Sequence, residues 1–209
     1  MEGSGVLQKS IGRRVSRKEN KSRSLRAAAF LARETEVRME LKELTERSFE
    51  LFGIHEPDQL GEALMEACND QDRLRAFREM VGGELGVDWL QKIYQYNLAD
   101  RKEKKQDFTP PSLARFMGML TGQSSHVVDM CAGSGALIIQ KWKEDPGVCF
   151  TAIEADEGVI PFLLFNLALR NIRCIVYQAD ALAGEDYVGA WAVEKGEEFG
   201  HITRIESAV

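Results

Sequence analysis

The sequence predicts an α/β chain, in which a helical N-terminal region precedes a parallel sheet connected by crossover helices. Two observations carry this. Up to Asp107, apolar residues recur at helical spacing in segment after segment; beyond it, short apolar runs rich in β-branched residues alternate with helical patterns. A third observation concerns function: the first predicted strand runs directly into "DMCAGSG", a glycine turn opening a helix.

The helical region is read element by element. "LRAAAFLARETEVRMELKELTERSFELF", from Leu25 to Phe52, is rich in helix formers, with Leu41, Leu44, Ser48 and Leu51 along one stripe. "GIHEPDQLGEAL" breaks and restarts it, with Asp58 as the expected cap and Leu60, Ala63, Leu64 and Ala67 as the apolar face. A third helix carries Leu74, Phe77 and Val81 and closes on Gly82-Gly83. A fourth, "VDWLQKIYQYNLADRKEKKQ", places Leu90, Ile93, Tyr94 and Asn97 on one face before the charge cluster from Arg101 to Lys105. These stripes are read as core, not as cofactor contacts.

In the second half, "HVVDMCA", "VCFTAIEAD" and "IRCIVYQAD" are the expected strands, with "GALIIQKWKED" and "EGVIPFLLFNLALRN" as the helices between them. "EEFGHITRI" reads as a fourth short strand, and His201 within it as an edge histidine rather than a base. The expected division is a basic tail over 1–26, a helical region over 27–105 and an incomplete sheet domain over 106–209.

Composition narrows the classes. At 209 residues and 44% hydrophobic, the chain can bury one sizeable core. The longest apolar stretch, "VIPFLLFNLAL", is too short for a membrane span and carries Asn166, so it is read as a buried helix. The opening residues lack the apolar core of a secretory signal, which makes the cytoplasm the expected compartment. Four cysteines without a C-x-x-C pair argue against a zinc site or disulfide framework and for buried free thiols. The net charge of −6 is uneven: residues 1–26 hold eight basic against two acidic side chains, a net +6, leaving 19 basic and 31 acidic ones, a net −12. Such a tail suits a phosphate backbone through counterion release, or is simply a solvated, disordered segment.

The glycine turn is the centre of the functional reading. Gly133 and Gly135 let a ligand approach the main chain without a Cβ in the way, and the ligand would meet a positive helix N-terminus. The nucleotide P-loop pattern is absent, and the dinucleotide pattern fails where Ile138 replaces its third glycine. Glu154, ending the second strand, lies at the distance from the turn where an adenosine ribose meets its carboxylate. Asp129, Glu154 and Asp180 thus end three successive strands beside the turn. Each alone reads equally well as a cap or a solvated loop residue; together they mark the carboxyl end of an open α/β sheet, where such sheets bind ligands.

These residues resemble the S-adenosylmethionine-dependent adenine-N6 DNA methyltransferases, especially modification subunits of type I restriction systems. The resemblance runs from about Asp88 to Leu182. It rests on "DWLQKIYQYNL", then "KQDFTPPSLARFM" for the family's "gQFYTP", "DMCAGSGALI" for "DPACGSGGFL", "AIEAD", "NLALRNI" and "ADAL", in the family's order and spacing. Met130 replaces the usual proline, and Cys131-Ala132 the usual Ala-Cys. The resemblance implies a partial, Rossmann-like class I methyltransferase sheet that binds S-adenosylmethionine. It implies that Thr109 and Pro110 border the methionine end, that Asp129, Gly133, Ser134 and Gly135 cradle the amino acid part, that Glu154 holds the ribose, and that Asp180 meets the adenine amino group. Thr109 has a structural reading beside this one, as N-cap of a helix with Pro110 in its first turn.

The family handles the flipped base with [NDS]-P-P-[YFW] after its fourth strand, where polar groups accept from the adenine amine and an aromatic ring stacks on the base. Here no proline follows Pro161, and "FGHITRIESA" laid on "FDVIIANPPF" offers no equivalent. The expectation is a chain without its own catalytic motif and without a metal site. It would work with DNA and with a partner subunit supplying catalytic or target-recognition parts. The alternatives are a non-catalytic accessory module that binds the cofactor or DNA, and a decayed gene product.

Overall fold

The computed structural model describes residues 41–97, 109–184 and 187–206. The basic tail, the first part of the predicted Leu25–Phe52 helix and the Arg101–Lys105 cluster lie outside the described residues. Two compact units divide the chain, Met1–Leu41 and Lys42–Val209, and the description below concerns the second.

The helical half comprises α1 (Leu41–Phe52), a single 3-10 turn (Pro57–Gln59), α2 (Leu60–Ala67), α3 (Gln71–Met80) and α4 (Trp89–Asn97). Asp58 does not cap: it sits inside the 3-10 turn, and a capping box between Glu56 and Gln59 closes its start instead. Asp70 caps α3, accepting from the amides of Asp72 and Arg73, a contribution of about 1 kcal/mol. Gly82 and Gly83 end that helix with positive φ, as the sequence predicts. The stripes are core: Leu60, Leu64, Leu74, Phe77, Leu90 and Ile93 are all buried.

The second half runs α5 (Pro111–Leu120), β1 (His126–Asp129), α6 (Ala136–Glu144), β2 (Cys149–Glu154), α7 (Ile160–Leu169), β3 (Cys174–Gln178), β4 (Gly189–Glu194) and β5 (His201–Ile205). The N-cap of α5 is Pro110, with Pro111 at its first position, so Thr109 stands one residue before the cap and does not fill it. Ala114 and Gly118 let α5 lie close on α6; a Cβ at Gly118 would come within 3.3 Å of the Lys141 backbone.

One sheet of five strands has the order β1-β2-β3-β4-β5. β1, β2 and β3 are parallel, but β4 and β5 are antiparallel, so the sheet is mixed rather than parallel throughout. The predicted fourth strand is in fact the fifth. The true fourth, Gly189–Glu194, lies in "GAWAVE", whose glycine and two alanines give a weak strand pattern. The two form a hairpin on the free edge of β3, and β1 ends the sheet at the other side.

Phe150, Ala152, Cys174, Val176, Val193 and Ile202 form the buried face of the sheet, and α7 packs on its β3–β5 side. α7 is also covered by α2, α3 and α4, which explains why all its residues except Pro161 are buried. Phe165 meets Phe52 and Phe77 edge to face at 5.5 and 5.3 Å, and Tyr94 meets Phe162 at 4.9 Å. The run read as a buried helix is therefore the central layer between the sheet and the N-terminal helices. Among the described residues no helix is long and apolar enough to cross a membrane.

Candidate functional site at the strand ends

The turn between β1 and α6 is built by backbone angles that only glycine adopts without strain. Gly133 has φ 54° and Gly135 φ 95°, and Gly135 is the N-cap of α6. A Cβ at Gly135 would also press to 3.1 Å on Leu163. At Gly133 the space a Cβ would enter is open, so a ligand can approach the chain there. Two hydrogen bonds fasten the turn: the Ala132 amide donates to the Ile153 carbonyl at 3.0 Å, and the Gly135 amide to that of Ala132 at 2.8 Å.

The three acids of the sequence reading arrive at the same end of the sheet, in different states. Glu154 spans the site: its Oε2 accepts from the Gly133 amide and its Oε1 from the Asp156 amide, both at 2.8 Å. Asp129 is buried; its Oδ1 accepts from the Cys131 amide at 3.3 Å, while its Oδ2 has no partner. Burial pushes the Asp129 carboxyl above the ordinary carboxylate range; the Cys131 amide works against this, and the charge of Glu154 adds to it. Asp180 lies two residues beyond β3, exposed, with its Oδ1 accepting from the Leu182 amide at 2.9 Å.

Ser134 faces the other way. Its hydroxyl donates to Asp88 at 2.7 Å inside the protein and Gly135 is buried beside it, so the turn is open at Cys131 and at the half-buried Gly133. Thr109, half-buried, and Pro110, exposed, stand before α5; neither takes part in the Cys131–Asp129 or Gly133–Glu154 hydrogen bond. Sequence reasoning missed Asp88 and Arg170, which meet Asn166 behind the turn. The available signal was Asn166 itself, a polar residue within an otherwise apolar helix.

Not all the thiols are buried: Cys68 and Cys174 are, with burial pushing both up to about 12, but Cys149 is half-buried and Cys131, in the glycine turn, is exposed. The reason is local, since residues 130 and 131 leave the end of β1 toward solvent.

A parallel strand, a glycine turn capping the next helix and a carboxylate at the end of the adjoining strand form the kind of carboxyl-end site at which open α/β sheets bind ligands. Over residues 86–187 the chain matches the model of the N-6 DNA methylase family. No curated protein matches the chain. Among solved structures, the chain is similar to a protein from Listeria monocytogenes assigned to the class I S-adenosylmethionine-dependent methyltransferases. The identity is 17% and the TM-score 0.38, over 69% of this chain and 55% of that one, so this chain spans little more than half its length.

Proposed function

We propose that this chain binds S-adenosylmethionine at the carboxyl ends of β1, β2 and β3 and serves as the cofactor-binding part of an adenine-N6 DNA methyltransferase, akin to restriction-modification subunits. The observation that carries this is Asp129 Oδ2, a buried acceptor without a donor at the glycine turn. A cationic ligand with an ammonium group supplies that donor. The open main chain at Gly133 and the start of α6 favour the carboxylate of the same amino acid. Glu154 faces the ribose hydroxyls and the exposed Asp180 the adenine amine. Thr109 and Pro110 border the methionine end.

The bound cofactor would supply an activated methyl group. The residues of this chain orient it: Glu154 holds both the ribose and the Gly133 amide, and the turn keeps Asp129 out of water. The groups that handle the adenine amine come, in this reading, from a partner subunit carrying an N-P-P-[YF] motif. Two observations support a partner. The segment 189–205 forms a hairpin beyond β3, away from β1. On the sheet face opposite α7, the row Val128, Thr151, Ile175, Ala192 and Thr203 is uncharged and none of the five is buried. The basic tail is assigned to DNA backbone contact and the compartment to the cytoplasm.

Calorimetry with S-adenosylmethionine tests the cofactor site. Glu154→Ala is expected to lose about 1.5 to 3 kcal/mol of binding free energy. Wild-type protein that binds no cofactor would sink the proposal. The second reading is a non-catalytic cofactor- or DNA-associated accessory module. It is chosen if labelled methyl groups never reach DNA in the presence of any co-purifying chain that carries the missing motif.

A further inference from the structure

Behind the glycine turn lies a buried polar network that joins three separate parts of the chain. Asp88, Ser134, Asn166 and Arg170 are 7%, 2%, 1% and 3% exposed. Asp88 Oδ2 accepts from the Ser134 hydroxyl at 2.7 Å. Its Oδ1 accepts from the Asn166 side chain and from the Gln91 amide, both at 2.9 Å, the latter capping the start of α4. The Asn166 side chain also donates to the Ser134 carbonyl at 2.9 Å. Arg170 donates to Asn166 Oδ1 at 2.7 Å and to the carbonyls of Leu85 and Val87, both at 2.8 Å.

Ser134 is the one residue with a side chain between two glycines of positive φ. It is held at both its hydroxyl and its carbonyl, whereas the glycines beside it have no side chain by which they can be held. We infer that Asp88 is a positioning residue for the glycine turn: through Ser134 it ties the turn's ligand-facing main chain to α4, so that cofactor binding and the order of α4 are coupled. The inference rests on the cofactor reading above for the ligand, but the mechanical tie stands on the network alone. Glycine-flanked backbone left untethered must be ordered when the ligand arrives, and that entropy is subtracted from affinity. With the tie in place it is already spent in folding. Coupling of this kind is reciprocal, so ligand at the turn must steady α4.

Ser134→Ala tests the tie with little disturbance, because Asp88 keeps its bonds to Asn166 and Gln91. In the ligand-free protein, hydrogen exchange at the amides of Gly133 to Gly135 is expected to quicken about tenfold, while the amides of β2 keep their protection. In calorimetry the variant should bind S-adenosylmethionine about tenfold more weakly. Adding the cofactor should slow exchange across Trp89–Asn97 in the wild type but not in the variant, a readout that a purely structural bond leaves unmoved. An unchanged Kd with only a lower Tm overturns the inference, as does equal α4 protection in both proteins. If the wild type binds no cofactor, the failure belongs to the cofactor reading. The ligand-free exchange then decides the tie: quickened turn amides support it, and unchanged ones overturn it.

Discussion

Asp129 carries a conflict that can be measured. Its carboxyl is raised by burial, so between the ordinary carboxylate range and its folded value the native state holds a proton that the unfolded chain has lost. That part of the stability is present at low pH and disappears as pH rises through this window. Asp129→Asn, which cannot ionise, is therefore expected to raise Tm at neutral pH and to flatten its decline above the ordinary carboxylate range, while weakening cofactor binding at least tenfold; thermal scans across pH and calorimetry check the two halves. Gly135→Ala should act in the opposite direction on stability. Its φ of 95° and the contact with Leu163 make a loss of about 1 to 2 kcal/mol the expected outcome in denaturant titration. Cys131 offers a direct probe of the same turn. A thiol reagent should modify it quickly and Cys68 and Cys174 only on unfolding, with S-adenosylmethionine protecting Cys131 from attack.

At the level of elements, the β4–β5 hairpin shows how an edge is closed. The Asn69 side chain copies a peptide group: its Oδ1 accepts from the Ile202 amide at 2.7 Å and its Nδ2 donates to the Ile202 carbonyl at 2.9 Å. β5 therefore offers fewer free groups for a further strand. Asn171 repeats the device on Gly196 while ending α7 with φ 55°. Phe199 is buried in the connection, with Arg78 over its ring and Arg75 and Arg78 paired to Glu198. Asn69→Ala should cost about 1 to 3 kcal/mol, which for a chain of this size lowers Tm by several degrees and leaves cofactor affinity unchanged. The helices were legible in the sequence because their apolar spacing matches the period they fold with. The hairpin was legible only in its second strand, because what fixes it are side chains from turns elsewhere in the chain, Asn69 on Ile202 and Asn171 on the connection at Gly196.

Among the described residues, cover is one-sided: α7 and the N-terminal helices build one layer stack, while the opposite sheet face stays half-exposed. Charge is also divided, with a net +6 in residues 1–26 against −12 in the remainder. If the tail follows DNA, the affinity must fall steeply with salt. Full engagement of its eight basic residues gives a log–log slope of up to about −7, independent of DNA sequence. Titration of the whole chain with unrelated duplexes at several salt concentrations measures it, and a slope near zero removes the tail from the DNA reading.

By itself the sequence determined the α/β alternation, the three parallel strands, the glycine turn and the acids that end those strands, because each depends on local periodicity or on backbone angles that glycine alone supplies. Only the tertiary structure decided what faces what. It turned Ser134 inward onto Asp88, left Asp129 Oδ2 without a donor, exposed Cys131 and sent the last two strands to the edge of β3 in antiparallel pairing. The physical reason is that these outcomes are settled by contacts between residues far apart in the chain, such as Asp88 with Ser134 and Asn69 with Ile202, which no local pattern encodes.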